Sequence, residues 1–242
     1  MFENRPEIPL AEQFEAALDW WRDAGVDCDF SDEIEPLLKE QVAESARPAA
    51  GKVETTPEKA REPAITAATV PSDLEGFQNW WVAPDSPIPA GPGPRLAPRG
   101  NVGAKLMLLT PMPEAEDRDA LLSGPQGVML ANIARALSIA PEQTYFASAL
   151  PAHMTLPDWD GLHAEGLGTA LTRHVELAKP ERVILFGSKL PMLLGHDPSS
   201  PPELFNEIAG VPALATFAPD RLLDHKRQRA RLWQRLLDWT AA

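Results

Sequence analysis

The chain has 242 residues, enough for one good-sized domain with extensions, and its 44% hydrophobic content is typical of a protein with a buried core. The net charge of −13 argues against indiscriminate binding to nucleic acid, and no apolar run approaches the roughly 18 residues needed to span a membrane. The only cysteine, Cys28, excludes a disulfide within the chain and any cysteine-rich zinc or iron–sulfur site.

Residues 1–42 are predicted to be an acidic segment with a short amphipathic helix at 11–24, which ends at Gly25. Trp20 stands beside Trp21, so this helix has more aromatic surface than one buried stripe can hide. Such a helix either docks on the main domain or binds a protein partner, and both interpretations stay open. The first ten residues lack the basic start and apolar stretch of a signal peptide, so we expect a cytoplasmic protein without membrane contact.

Residues 43–100 are predicted to be an Ala- and Pro-rich linker, because prolines cluster there and much of the segment shows no periodicity. The linker contains one short predicted helix at 73–82, with Ser72 as its N-cap. Trp80 and Trp81 of this helix are expected to pack on the domain. If they are exposed instead, they mark a second site for a protein partner.

Residues 101–242 are regular, with short apolar runs that alternate with helical patterns. Strands are predicted at 105–110, 145–150, 182–187 and 211–217, and helices at 128–137, 162–177, 188–194 and 220–239. This alternation predicts a three-layer α/β/α Rossmann-like domain with a four-stranded parallel sheet. Ligands of such sheets bind at the carboxyl ends of the strands, so the candidate site comprises the segments after Thr110, Leu150, Gly187 and Phe217.

Four stretches of this domain carry a resemblance to a known family. The first strand ends in TPMPEAEDR, the second reads TYFASALP, the third lies in RHVELAKPERVILFG, and the last ends in TFAPDRLL. In this order they resemble the uracil-DNA glycosylase superfamily, especially its family 4 enzymes. The corresponding family motifs are GEAPG with an EDR-type stretch, VYITN, RHIELLRPKVIVALG and YHPAYLL. The likeness covers residues 102–239 with gaps, and EAALDWWRDAGVD resembles an N-terminal segment of some bacterial members.

The resemblance also implies that the catalytic groups of the family are missing here. Pro111 stands where an acidic or amide residue positions the attacking water, and a proline cannot orient or deprotonate water. Ala218 replaces the histidine that stabilises charge on the uracil oxygen, and Ser148 replaces the asparagine that reads the uracil edge. Leu122 replaces the ring that stacks on the base. Together with Met112, these residues are the vestigial pocket positions, and no catalytic residue is implied.

Family 4 enzymes hold an iron–sulfur cluster through four cysteines. Two of those positions are Ser86 and Leu167 in this sequence, and a chain with one cysteine cannot supply the ligands alone. The histidines show no metal-binding spacing either. We therefore expect neither a cofactor nor a metal site.

Several ionisable residues near the predicted strand ends have two interpretations. Glu114, Glu116 and Asp117 either form a displaced acid/base pair or lie at a solvated helix N-terminus, where carboxylates complement the helix dipole. We favour the helix N-terminus. His153 follows the second strand on the pocket side, and a loop or capping role is favoured over a working one.

The last predicted helix is strongly basic. Its candidate DNA contacts are Lys226, Arg227, Arg229 and Arg231. Three interpretations explain this charge: contact with a phosphate backbone, contact with an acidic partner such as the chain's own acidic N-terminal segment, or a solvated face with cations toward a helix C-terminus. Leu222 and Leu223 match the place where relatives push a wedge into the duplex, and core packing explains them equally well. The predicted inner stripe of the helix is Leu223, Ala230, Trp233 and Leu237.

These features predict a catalytically degenerate uracil-DNA glycosylase-like protein. As a pseudoenzyme, it would be a DNA-associated or protein-binding component in DNA repair or replication. One alternative is an active uracil-DNA glycosylase, an N-glycosyl hydrolase that excises uracil with relocated catalytic groups. Another is an enzyme that acts on a different small ligand in the inherited pocket. A fold resemblance does not by itself license any of these functions.

Overall fold

A computed structural model describes residues 63–241 of the chain, which belong to the unit Thr56–Ala242. The predicted N-terminal segment at 1–42, with Trp20 and Trp21, and the predicted linker up to residue 62 lie outside the described residues. No helix within 63–241 combines the length and the apolar character that crossing a lipid bilayer requires.

Five strands form one mostly parallel sheet. They are β1 (Leu106–Thr110), β2 (Thr144–Ser148), β3 (Val183–Phe186), β4 (Glu207–Ile208) and β5 (Val211–Thr216), in the order β2-β1-β3-β5-β4. β1, β2, β3 and β5 are parallel, and every residue of β1, β2 and β3 is buried, as expected of strands covered on both faces. The predicted parallel α/β sheet is confirmed, but it has five strands rather than four.

The additional strand, β4, is antiparallel to β5 and forms a hairpin with it. Its two-residue turn consists of Ala209 and Gly210, both with positive φ, which suits the tight turn of a β-hairpin. A strand of two residues has no sequence period, and Ala-Gly is a weak turn signal. The sequence pattern therefore did not indicate it.

Seven α-helices occur within the described residues. They are α1 (Leu74–Val82), α2 (Pro125–Ala136), α3 (Trp159–Ala164), α4 (Leu167–Ala178), α5 (Lys189–Leu193), α6 (Pro219–Asp224) and α7 (Lys226–Ala241). The sheet separates two hydrophobic clusters: Met107 and Leu109 of β1 pack in one, and Leu106 and Leu108 pack in the other. The first cluster contains core residues of α1, α3, α4 and α5, whereas the second contains those of α2, α6 and α7.

Two of the predicted helices are each divided in two. The helix predicted at 162–177 is α3 and α4, separated at Gly166, whose φ of 92° lies in the left-handed region. The helix predicted at 220–239 is α6 and α7, separated at His225, which has extended backbone angles.

The predicted inner stripe of the last helix is wrong. Leu222, Leu232 and Leu236 are the buried leucines of α6 and α7. The predicted residues Leu223, Ala230, Trp233 and Leu237 are exposed. Packing in the core selects Leu232 and Leu236, which lie on a face adjacent to the predicted one.

The described part of the predicted linker contributes to the core. Ile65, Phe77, Ile88 and Leu96 are buried there, and α1 begins after the N-cap Asp73 rather than Ser72. The Asp73 carboxylate accepts a hydrogen bond from the N–H of Gly76 at 2.8 Å. This segment therefore contributes side chains to the core from Ile65 onward.

The two tryptophans of α1 pack against the core. Trp81 is fully buried, and its ring stacks on Phe77 with centroids 5.4 Å apart. Trp80 is half-buried and packs against the same cluster. The prediction that both tryptophans pack on the domain is confirmed, and Trp81 has no exposed surface to offer a partner.

Candidate functional site

The strand order places the switch in chain direction, where a ligand crevice is expected, between β1 and β3. The chain proceeds outward from β1 to β2 on one side and from β3 to β5 on the other, so the direction reverses between β1 and β3. In open parallel sheets, ligands bind outside the carboxyl ends of the strands at this point. The residues that follow the three neighbouring strands are Pro111 after β1, Gly187 after β3, and Ala218 beyond the end of β5.

Pro111 and Ala218 both lie near Gly187. A Cβ atom placed on Gly187 would lie 2.9 Å from Cγ of Pro111 and 3.9 Å from Cβ of Ala218. The φ of Gly187 is +110°, a conformation that side chains with a Cβ rarely adopt. Its N–H donates to the carbonyl of Thr216 at 2.8 Å. The residues nearest to Gly187 at these strand ends are therefore apolar.

Ser148 and Thr110 have their hydroxyl groups engaged with the backbone. The fully buried Ser148 hydroxyl donates to the carbonyl of Leu150 at 2.6 Å. The Thr110 hydroxyl lies 3.3 Å from the carbonyls of both Met112 and Ala147. Met112 itself is partly buried against the core. These groups hold the turns at the ends of β1 and β2.

Glu114 caps a helix. Its buried carboxylate accepts hydrogen bonds from the N–H groups of Gly124, Gln126 and Gly127 at 2.9–3.0 Å. These amides lie at the start of α2, where backbone donors have no partner within the helix. The prediction of a solvated helix N-terminus at residues 114–117 is wrong, because no helix begins there. The buried Glu114 instead caps a helix that begins eleven residues later, at Pro125.

Asp117 ties the same loop together. Its carboxylate accepts from the N–H groups of Glu114, Leu122 and Ser123 and from the Ser123 hydroxyl, at 2.7–2.9 Å. Burial raises the pKa of Asp117, but the hydrogen bonds from Ser123, Leu122 and Glu114 together lower it below its usual value. Glu116, in contrast, is exposed and lies 3.8 Å from Arg118. Two of the three acidic residues therefore hold the loop that follows β1.

Leu122 is a core residue. It is buried in the cluster on the α2 side of the sheet, with a left-handed backbone of φ 56°. Arg99 donates to the carbonyls of Leu121 and Leu122 at 2.9 and 3.2 Å, and the backbone of Gly127 packs directly against the Leu122 carbonyl. The side chain fills the core, which differs from the base-stacking position that the resemblance implies.

His153 connects the segments beside the crevice. Its Nδ1 lies 3.1 Å from the carbonyl oxygen of Pro113, and because a carbonyl can only accept, Nδ1 carries the proton. The backbone of Gly91 packs closely on the His153 carbonyl. His153 is a half-buried ionisable side chain at this edge, and its Nε2 is not engaged by Pro113.

The basic residues of α7 divide into two groups. Arg229 donates to the carbonyls of Leu222 and Leu223, both at 2.6 Å, and so closes the carboxyl end of α6. Arg235 donates to the carbonyls of Ala215 and Glu203. The exposed group is Lys226, Arg227 and Arg231, the last of which lies 4.0 Å from the Glu203 carboxylate. Of the four candidate DNA contacts, Arg229 is therefore part of the fold.

No family model matches this chain, and no curated protein does. The residues at the two ligand positions that the resemblance identifies cannot hold an iron–sulfur cluster. Leu167 is fully buried in the core, and the Ser86 hydroxyl contacts the backbone N–H of Ile88 at 3.5 Å. Within residues 63–241, no group of three or more His, Cys, Asp or Glu side chains could hold a metal ion.

Proposed function

We propose that this chain is a non-catalytic member of the uracil-DNA glycosylase superfamily that works by binding, as a component of DNA repair or replication. The observation that carries the proposal is the position of Pro111 and Ala218, both near Gly187 at the carboxyl ends of the strands. The resemblance implies a water-positioning group and a charge-stabilising histidine at the first two positions. The pyrrolidine ring of Pro111 and the methyl group of Ala218 occupy these positions instead.

The chemistry of these groups supports a binding role. A methyl group cannot donate a hydrogen bond to a developing oxyanion, and loss of one such donor costs about 10²–10³ in rate. Glu114 and Asp117 offer little as replacements, because their carboxylates accept seven hydrogen bonds from backbone amides and the Ser123 hydroxyl. Using either group as a general base would break the loop that it holds.

The proposal is tested by measuring uracil release from single- and double-stranded DNA. The protein is produced in a host without its own uracil-DNA glycosylase, so that contamination cannot supply activity. We expect no release. If release occurs, disappears in His153→Ala and persists in Glu116→Ala, the protein is an active glycosylase with relocated groups, and the proposal fails.

Association with DNA is tested separately, through the salt dependence of affinity. Lys226, Arg227 and Arg231 are exposed, so contact with phosphates predicts that log K falls with log salt concentration. The slope should become shallower in Arg227→Ala/Arg231→Ala and remain unchanged in Arg173→Ala, which removes a charge from α4. Absence of DNA binding at low salt would indicate that the protein works by binding protein partners.

A further inference from the structure

Exposed hydrophobic side chains converge on one groove. Among the described residues, the large hydrophobic side chains with high exposure are Val102, Val128, Leu156, Leu204, Leu223, Trp233 and Leu237. Val128, Leu223 and Trp233, which are 60%, 38% and 40% exposed, line the same groove. Leu237 follows Trp233 by one helical turn. Scattered apolar residues are normal on a protein surface, but a contiguous group marks an interaction site.

The groove lies between α2 and α7, with α6 contributing part of its lining, and it encloses about 510 Å³. Both helices pack on α6. Met129 and Ile133 of α2 add to its wall, opposite Leu232 and Leu236 of α7. Twelve residues of α2 correspond to about 18 Å of helix, so the groove suits an occupant of about three turns.

The groove is held in place by internal contacts. Arg229, one of its lining residues, joins α7 to the last turn of α6 through the carbonyls of Leu222 and Leu223. Glu114 holds the other wall by capping α2. A partner therefore meets a preformed surface and need not order these helices on binding.

The helices around the groove are basic in an acidic chain. α2, α6 and α7 together carry seven basic residues and three acidic ones. Without Arg227 and Arg231, which lie on the far side of α7, their net charge is +2, whereas the whole chain has −13. Lys226 lies two turns before Trp233 and thus on the same side of α7. The acidic residues of the three helices are Asp220, Asp224 and Asp238.

We propose that this groove binds an amphipathic helix of a partner protein, with apolar residues on its inner face and acidic residues on its flanks. Insertion of an apolar helix face between two helices is a recurring mode of recognition. The net positive charge favours acidic flanks. Nucleic acid fits less well, because the lining is mainly apolar and Arg227 and Arg231 lie on the far side of α7 from Arg229 by helical spacing. The inference goes beyond the proposed function and holds whether or not the protein is catalytic.

The test uses the full chain and a labelled synthetic peptide about four turns long, with leucine on one helical face and glutamate elsewhere. A matched peptide carries lysine in place of glutamate. We expect the acidic peptide to bind at least about tenfold more tightly than the basic one, and Val128→Glu to weaken it about tenfold or more. Leu156→Glu is the control, since it places the same charge on an exposed residue outside the groove. Thermal melting confirms that each variant folds.

Methyl and indole NMR signals locate the bound peptide. Shifts of Trp233, Val128 and Leu223 support the groove, and a loss of these shifts in Val128→Glu supports it further. Equal binding of both peptides, no binding of either, or an equal effect of Leu156→Glu would refute the proposal. It is also refuted if duplex DNA displaces the peptide, or if Val128→Glu abolishes self-association, which would identify a second copy of this chain as the occupant.

Discussion

The hydroxyl of Tyr145 lies 2.9 Å from Nε2 of His174, in a fully buried contact between β2 and α4. α1 covers this pair: the ring of Phe77 stacks on the imidazole with centroids 4.4 Å apart, and Gln78 lies 3.5 Å from the tyrosine hydroxyl. Burial raises the pKa of Tyr145 to about 12, with a smaller opposing effect of the hydrogen bond from Gln78. Both groups are thus neutral over a broad range of pH.

The burial of the His174 ring predicts that the free energy of unfolding decreases in mild acid. Burial lowers the pKa of His174 to about 3, whereas the unfolded chain has an ordinary histidine with a pKa near 6.5. Below pH 6.5 the unfolded chain binds a proton that the folded chain does not. The free energy of unfolding therefore falls as pH falls from 6.5 toward 3, by up to about 1.4 kcal/mol per pH unit.

Urea unfolding at pH 7 and pH 5 measures this effect. The decrease should be about 1–2 kcal/mol larger for the natural protein than for His174→Gln, which has no titrating ring. His163→Gln alters an exposed histidine and should resemble the natural protein. Equal decreases in all three proteins would show that His174 does not titrate as its burial requires.

Glu114→Ala should destabilise the protein by about 2 kcal/mol or more. The variant removes the acceptor from three amides at the start of α2, and loss of a helix cap alone costs about 0.5–2 kcal/mol. Glu116→Ala, two residues away on the surface, should change the free energy of unfolding by less than about 0.5 kcal/mol. Denaturant titration of both variants checks the difference, and comparable losses would contradict the capping role.

Gly187→Ala should destabilise the protein more than Gly195→Ala. Both glycines have positive φ, but only a Cβ on Gly187 would meet another side chain, at 2.9 Å from Pro111; around Gly195 nothing lies within 4 Å. We expect a loss of about 1 kcal/mol at Gly195 from backbone strain and clearly more at Gly187. Adding Pro111→Ala to Gly187→Ala should restore part of the stability. No recovery in this double variant would mean that the two residues are not in the described contact.

Arg229→Met should cost about 1.5–3 kcal/mol, whereas Arg227→Met should cost less than about 0.5 kcal/mol. Arg229 donates two hydrogen bonds to the end of α6, and Arg227 is exposed on the same helix. Both substitutions remove one charge and retain an aliphatic chain, so charge is matched. Thermal and urea unfolding distinguish them, and equal stability of the two variants would contradict the closing role of Arg229.

The parallel sheet could be predicted from the sequence, because strands buried on both faces appear as short apolar runs between helical patterns. The strand-end rule also selected Pro111, Gly187 and the segment after β5, which the fold brings together at the switch in strand order. These predictions depend on local periodicity and on topology. Both are properties that a sequence expresses directly.

The remaining features depend on contacts between distant residues. The apolar residues of α7 cover two adjacent faces, Leu232 with Leu236 and Trp233 with Leu237, and the same spacing describes both pairs. Only packing on the sheet decides which pair is buried, so the groove could not be foreseen. The capping of α2 by Glu114 likewise joins a side chain to backbone amides that lie at least ten residues later in the sequence.

Arg99 pairs with Phe146 through two backbone hydrogen bonds of 2.9 and 2.8 Å, and so occupies the free side of β2. An unpaired outer strand is a template onto which another chain can add, and β2 carries no charged side chain that would oppose such pairing. The proline-rich stretch that contains Arg99 thus covers the edge of the sheet. A fragment that begins at residue 101, where the sequence pattern becomes regular, would lack the edge contact of Arg99. It would also lack the buried side chains of Phe77, Trp81 and Ile88, and would be prone to aggregate.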